Sequence, residues 1–319
     1  MRLLVAAALC AVASFACAQA YPSRPIRLLV PFGPGGNVDI TARTVAPALG
    51  EALGQPVVVE NRPGAGSLVG AQALAQGGAD GHTLMMGSNS SLSVAPALYA
   101  ANWPYDPVKG IAPISNLQVV PFALVVKTGL PAQSLAELIR LAKEKPGQLS
   151  MASGGPGSSN HLVGELFQMM TGVKLNHVPY KGAGPAMVDV VGGQVDLLFD
   201  QATTTLANVK SGKVRALAVA SRTRLASLPE VPTFAEGGVR DFAIDNFTGL
   251  VGPGGMSADA LAKVHAAALK ALATPAVRER FAALGVQVVG NTPGEFAAEI
   301  REDLARWTRV IKAADIKVQ

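Results

Sequence analysis

Four stretches hold the residue types from which a binding or catalytic site could be built: PFGPGGNVD (31–39), NRPGAGS (61–67), ASGGPGSSNH (152–161) and PYKGAGPA (179–186). Each follows a β-type run and leads into a helical pattern. Glycine lets other atoms come close to the backbone, and the first N–H groups of a helix have no partner inside it. Such a loop can cradle a nucleotide, present a nucleophile or hold a carboxylate. The neighbouring side chains decide among the three.

A nucleotide fits poorly. GAGSLVG (64–70) departs from GxGxxG because Gly70 follows Gly66 by four positions, and no GxxxxGK[ST] occurs. A hydrolase fits no better, since there is no GxSxG nucleophile elbow. Ser153, Ser158 and Ser159 lie close to His161, but near neighbours in sequence rarely assemble a triad. His161 falls in the first turn of a helix, where a polar residue satisfying backbone groups is the simpler reading. His82, His177 and His265 are isolated, without metal-ligand spacing. Anion capture remains. N–H groups at a helix start, with the positive end of its dipole, favour a carboxylate and need no catalytic group. One such loop alone reads equally well as a tight turn.

The elements that would carry these loops alternate. Strand candidates are 26–31, 56–60, 83–87, 122–126, 149–152, 176–179, 196–200 and 215–220; helical candidates are 39–53, 67–76, 134–144, 160–170, 185–191, 258–273 and 293–313. This rhythm predicts βαβ units and mostly parallel sheets. Ser134–Glu137 and Thr292–Glu295 read as capping boxes, and Pro47 should kink or split the first helix near 44–46. VVPFALVV (119–126), interrupted by Pro121, reads as two buried strand pieces. The glycine loops recur in pairs: Gly64 comes 31 residues after Gly33, and Gly182 comes 28 after Gly154. Two sheets, each with two such loops at the carboxyl ends of its strands, make sense if the loops face one another across a cleft.

Bulk properties agree with an exported binding protein. Residues 1–20 have the n-region, apolar core and small-x-small sites (Ala16-Cys17-Ala18, Ala18-Gln19-Ala20) of a secretory signal peptide. Ser14 and Phe15 argue against lipidation of Cys17. Cys10 and Cys17 both lie in that segment, which leaves no thiol for a disulfide, a zinc site or a nucleophile. The remaining length predicts two domains. Removing Arg2 takes the formal charge from +5 to +4, and with scattered basic residues and only 5% aromatics nucleic acid is not expected as a partner.

Nearly the whole of the chain after residue 20 resembles the substrate-binding proteins of tripartite tricarboxylate transporters, the Bug family of periplasmic receptors. The blocks that carry the resemblance include PFGPGGNVDITAR (31–43), VVVENRPGAGSLVGAQ (57–72), ADGHTLMMG (79–87), MASGGPGSSNHLVGELF (151–167), HVPYKGAGPAMVDVVGGQVDLLFD (177–200) and LPEVPTFAEGG (228–238). The resemblance implies an α/β, two-lobed Venus-flytrap fold of the periplasmic-binding-protein type, each lobe a mostly parallel sheet flanked by helices. It implies a ligand carboxylate gripped by two facing strand-to-helix loops through backbone groups and bridging water. Here those loops are PFGPGG and PYKGAGPA, with NRPGAGS, GSNS (87–90) and ASGGPGSSNH as walls. Phe247 stands where many members have Trp, and the 88–91 loop is rich in hydroxyls, so ligand identity stays open.

The expected ligand-binding set is Phe32, Gly33, Gly36, Asn37, Asp39, Gly66, Ser67, Ser88, Asn89, Ser153, Gly154, Ser158, Asn160, Tyr180, Gly182 and Asp200. Within it Asn37 is also an N-cap candidate, and Asp39 is expected to pair with Arg43 four residues on, with orientation of cleft water as the alternative. Tyr180 could cover the ligand while Lys181 points to solvent; Asp200 would disfavour a second carboxylate yet welcome a hydroxyl or amino group. Lobe boundaries are expected at 21–121 plus 247–319 and at 122–246. The reading is of a monomeric periplasmic receptor for a small carboxylated solute (a di- or tricarboxylate, an aromatic acid or an amino acid), delivered to integral-membrane transporter subunits. No cofactor, metal or catalytic residue is expected; an exported enzyme acting on a small acid is the alternative.

Overall fold

The computed structural model describes residues 21–313, so the expected signal peptide lies outside the described residues. The chain opens with β1 (Ile26–Val30), α1 (Asn37–Leu53), β2 (Val57–Asn61), α2 (Leu68–Ala75), β3 (Thr83–Ser88) and a short α3 (Ala95–Leu98). A long β4 (Ile111–Lys127) leads to α4 (Leu135–Glu144), β5 (Ser150–Ser153), α5 (Ser159–Thr171), β6 (Asn176–Pro179), α6 (Ala183–Val191), β7 (Leu197–Gln201), α7 (Ala202–Lys210) and β8 (Val214–Val219). The remainder is β9 (Asp245–Pro253), α8 (Ala258–Ala273), α9 (Pro275–Ala283), β10 (Gln287–Val288) and α10 (Pro293–Ala313).

Two mixed sheets repeat one plan. In the first, parallel strands run in the order β2-β1-β3, followed by antiparallel β9 and then β4, with β10 against β4. In the second, parallel strands run β6-β5-β7, and antiparallel β4 lies between β7 and β8. The paired glycine loops thus come from two copies of one strand order. In each copy the chain leaves a central strand to one side and then crosses to the other. That reversal opens a crevice at the carboxyl ends of the strands, where open α/β sheets bind ligands.

β4 corrects the sequence reading. It is one strand of 17 residues, not two pieces. Up to Pro121 it pairs with β9, and from Phe122 it pairs with β7 and β8, so the missing proline N–H falls where the strand changes partners. α1 likewise runs unbroken through Pro47 rather than splitting before it. Pro47 is exposed, as is Arg43, whose carbonyl loses its helical donor and can be hydrated instead. Helices α7 and α9 and strand β9 escaped the sequence reading, because threonines, short length and glycines blur their periodicity.

Packing fixes these sheets in place. Leu28, Val30, Leu84 and Met86 bury against Val45 and Leu49 of α1 and Val264 and Ala268 of α8. Each such side chain contributes roughly 1.5–3 kcal/mol. The second sheet's core joins Phe122, Phe167, Phe199, Phe234 and Phe242. α10 reaches across both, its Trp307 packing with Val94, which follows β3, and Leu162 of α5. Its start closes the predicted box: Thr292 N–H donates to Glu295 Oε2 at 2.9 Å and Glu295 N–H to Thr292 Oγ1 at 3.3 Å. Among the described residues no helix is long and apolar enough to cross a membrane, and no group of three or more His, Asp or Glu side chains could hold a metal.

Candidate functional site

The glycine loops meet in two pairs. The loop after β1 faces the loop after β6: Gly33 N–H donates to the Lys181 carbonyl at 2.7 Å. A Cβ on Gly36 would lie 3.5 Å from the Gly184 nitrogen and 3.7 Å from that of Ala183. α1 starts after Gly36 and α6 after Gly182, and neither has a side-chain cap. Two uncapped helix starts from opposite sheets therefore share one place, and their dipoles favour negative charge there. The loop after β2 faces the loop after β5. There Gly66, at φ 60°, touches the Pro156 carbonyl so closely that any Cβ would overlap its oxygen.

Between the pairs lies a small cavity of about 20 Å³, with room for little more than one water. Phe32, Gly36, Asn37 and Val38 line it from the first β1–α1 connection, and Ser88 and Ser90 from the end of β3. Gly154 and Asn160 come from the β5–α5 connection, Ala183 from the start of α6 and Gln201 from the end of β7. Every contribution lies at the carboxyl end of a parallel strand or the start of the following helix. A larger hollow of about 860 Å³ between α1 and β2 involves Pro47, Glu51 and Val58. It is made by one helix, one edge strand and the short connection between them, and involves none of the four glycine loops.

Six expected residues thus line one cavity: Phe32, Gly36, Asn37, Ser88, Gly154 and Asn160. Gly33, Gly66 and Gly182 instead make the loop-to-loop contacts around it. Asn37 is the first residue of α1 rather than its N-cap, which is Gly36. Its side chain donates to Thr248 Oγ1 at 2.9 Å and accepts from Gln118 Nε2 at 3.1 Å, which ties the helix start to β9 and β4.

Other residues of the set stand behind the lining. Asp39 pairs with Arg43 at 3.0 Å and accepts from Gly35 N–H at 2.9 Å and Asn61 Nδ2 at 2.9 Å. Burial pushes its carboxyl up, but these donors outweigh that and hold it below the usual range. The i,i+4 pair forms, and the carboxylate also tightens the first glycine loop. Ser153 Oγ bonds His177 Nε2 at 2.6 Å and accepts from Gly155 N–H at 3.0 Å, while Ser158 Oγ caps α5 by accepting from His161 N–H. His161 stacks on His177 with ring centroids 4.0 Å apart, beneath this loop, and His161 Nδ1 accepts from Gly157 N–H at 3.4 Å. The two imidazoles are thus buttresses of backbone. Ser67 is buried with φ 94°, its Oγ without a hydrogen-bond partner among the described residues.

Three more lie away from the cavity. Asn89 turns away: Nδ2 donates to Asp303 of α10 at 2.8 Å, and Oδ1 accepts from Phe247 N–H at 2.6 Å. Tyr180 donates its hydroxyl to Asp189 at 2.6 Å, and Lys181 is exposed as expected. Asp200 is fully buried behind Asn160, whose Nδ2 reaches Asp200 Oδ1 at 3.0 Å; Thr204 Oγ1 also donates to it. Burial raises its carboxyl to about 6 against the pull of these donors.

The expected residue set left out Val38, Ser90, Ala183 and Gln201, although Ser90 and Ala183 belong to loops already assigned to the site. Ser90 Oγ accepts from Ser159 N–H at 2.6 Å, a bond from the β3 end to the start of α5. Gln201 ends β7 as Ser88 ends β3, so the internal repeat, carried one strand further, was the signal that pointed to it.

Known proteins share this sequence pattern and fold. Residues 41–316 match the sequence model of the tripartite tricarboxylate transporter family receptor, TctC. The protein BugT of Bordetella pertussis is 38% identical over 313 residues, covering 97% of this chain and 94% of its own. The structure of the periplasmic binding protein BugD superposes with TM-score 0.90 at 34% identity, covering 94% of this chain and all of the other. MatC from Rhodopseudomonas palustris with bound malate superposes with TM-score 0.88 at 33% identity, covering 91% and 100%. A second R. palustris protein, with adipate, does so with TM-score 0.88 at 31% identity, covering 93% and 99%.

Proposed function

This chain belongs to the tripartite tricarboxylate transporter receptor family of periplasmic solute-binding proteins, and from that premise we propose that it captures a small carboxylate where its four glycine loops converge. The observation that carries the reading is the meeting of two uncapped helix starts, α1 and α6, at one cavity. Each dipole favours an anion by roughly 0.3–1 kcal/mol, and by up to about 2 kcal/mol when partly buried. Several convergent backbone donors can thus hold a carboxylate without a lysine or arginine. The malate- and adipate-bound relatives make a dicarboxylate the first class to test.

Within the described residues the proposed lobes are 21–121 with 247–313, and 122–246. β4 and the 244–247 segment join them, and the change of strand partners at Pro121/Phe122 makes that point the pivot. A four-carbon acid exceeds the present cavity, so the solute enters with the lobes apart and the loops close over it. Phe32 and Ser88 face the solute, while Asp39, Ser153, Ser158 and Asp200 hold the loops that do. The chain is exported to the periplasm, works as a monomer, changes no bond in its ligand and hands it to membrane subunits.

A thermal-shift screen over mono-, di- and tricarboxylates and amino acids tests this, because a ligand that binds only the folded chain raises the melting temperature by mass action. At least one carboxylate should give a saturable shift and be recovered unchanged by NMR. Conversion of a bound acid would favour the exported-enzyme alternative, and no shift with any acid would end the carboxylate reading.

A further inference from the structure

Resting on the carboxylate reading, we propose that Asn160 selects solutes bearing a hydrogen-bond donor, a hydroxyl or an ammonium, close to the bound carboxylate. The cause is the way its amide is turned. Nδ2 donates to the Phe199 carbonyl at 2.7 Å and to Asp200 Oδ1 at 3.0 Å. A carbonyl can only accept, so the amide nitrogen, not its oxygen, must face Phe199. A primary amide has two N–H bonds, and both are used. What remains for the cavity is Oδ1, an acceptor.

Asn160 is only 4% exposed and lines the cavity. Its Oδ1 stands 3.3 Å from where a Cβ of Gly154 would be, and no donor among the described residues is bonded to it. A ligand carboxylate oxygen set against it would place acceptor against acceptor. A hydroxyl or ammonium would complete the bond, and a solute with neither would leave a buried acceptor unpaired, which is the costlier outcome. Helix starts that want a carboxylate and an amide oxygen that wants a donor therefore lie on one cavity wall system. Phe199, Asp200 and Asn160 all belong to the second sheet and its helix α5, so the orientation holds whether the lobes are open or closed.

Matched sets of acids test this by titration calorimetry on the purified chain: succinate, malate and aspartate; glutarate, 2-hydroxyglutarate and glutamate; propionate, lactate and alanine, each chiral acid as both enantiomers. In at least one set the hydroxy or amino acid should bind about tenfold tighter than the unsubstituted acid. Whichever of the two is tighter identifies the donor. Asn160→Ala should abolish that preference, bringing the affinities of the substituted and unsubstituted acids of the set to within about twofold of each other.

A preference that survives in Asn160→Ala overturns the assignment to this residue. Unsubstituted acids that bind as tightly as their partners in every set overturn the inference while leaving carboxylate capture intact. No binding by any acid overturns both. Should the variant fail to fold, the ratios measured on the unaltered chain still decide.

Discussion

The N–H of Gly33 and the carbonyl of Lys181 share a 2.7 Å hydrogen bond, main chain to main chain, between loops that belong to different sheets. Neither partner uses its side chain, and Lys181 sends its own to solvent. Closure here is a backbone event. Residues are selected at these positions for the atoms they lack, since a Cβ on Gly182 would come within 2.8 Å of the Gly33 nitrogen.

Gly182→Val should therefore keep the lobes apart. Gly182 also holds φ 139°, which side chains rarely adopt, so the loop itself will shift. Affinity for the best carboxylate should fall at least tenfold, and small-angle scattering should show no compaction when the ligand is added. Gly66→Ala should act alike at the second loop pair, where its Cβ would overlap the Pro156 carbonyl. Near-native affinity in both would mean that these contacts are incidental to binding.

Lys181→Ala should leave affinity within about threefold, because its exposed side chain takes no part in the loop contact. Methyl esterification of the ligand's carboxylate should by contrast weaken binding by about tenfold or more, the loss of one or two hydrogen bonds to a charged acceptor. Titration of both pairs checks this. The opposite ranking would show that the lysine, rather than the helix starts, carries the anion.

Asn89 lies one residue from the cavity-lining Ser88 and Ser90, yet its amide bridges Asp303 and Phe247 N–H. Asn89→Ala should lower stability by about 1–3 kcal/mol, since it takes one donor from the buried Asp303 carboxyl, which keeps Arg306 at 3.6 Å, and leaves the buried Phe247 N–H without its acceptor. Ligand affinity should change little. Denaturant melts and calorimetry together separate the two effects, and a large loss of affinity in a stable variant would return Asn89 to the binding surface.

Acid stability should reflect two opposed groups. Burial, then the neighbouring His177, pushes the His161 imidazole from 6.5 down to about 3; burial lowers His177 too. The folded chain thus keeps them neutral while the unfolded chain takes up protons, and the stability they confer is present above pH 6.5 and lost as pH falls toward 3. Among the described residues, the carboxyl of Glu165 stands beside them, 3.6 Å from His161 Nε2. Asp200 works the other way: with its carboxyl raised from 3.8 to about 6, its contribution is full below pH 3.8 and lost as pH rises through 6. Melts between pH 6 and 4 should show a decline that flattens in His161→Gln and steepens in Asp200→Asn, by up to about 1.4 kcal/mol per pH unit for each group. Equal slopes in all three proteins would sink this account.

What the sequence determined by itself was local. Strand-to-helix alternation, the glycine loops, the Thr292 capping box, the Ser134 N-cap and the repeated spacing follow from residue type and period, which act over a few positions. The family resemblance supplied the two-lobed plan, and the loops do face one another. Only the tertiary structure decided which loop residues reach the cavity. Ser88 and Asn89 are neighbours of like polarity, but a strand end and a helical turn point them to opposite fates, one to the cavity and one to α10. Asn160 was legible as a polar residue near a helix start, whereas the direction of its amide was not. That direction is set by a carbonyl 39 residues further along the chain. Pro121 misled for the same reason: a proline breaks a strand read alone, yet β4 passes through it because the strand changes sheets there, a fact that exists only once both sheets are built.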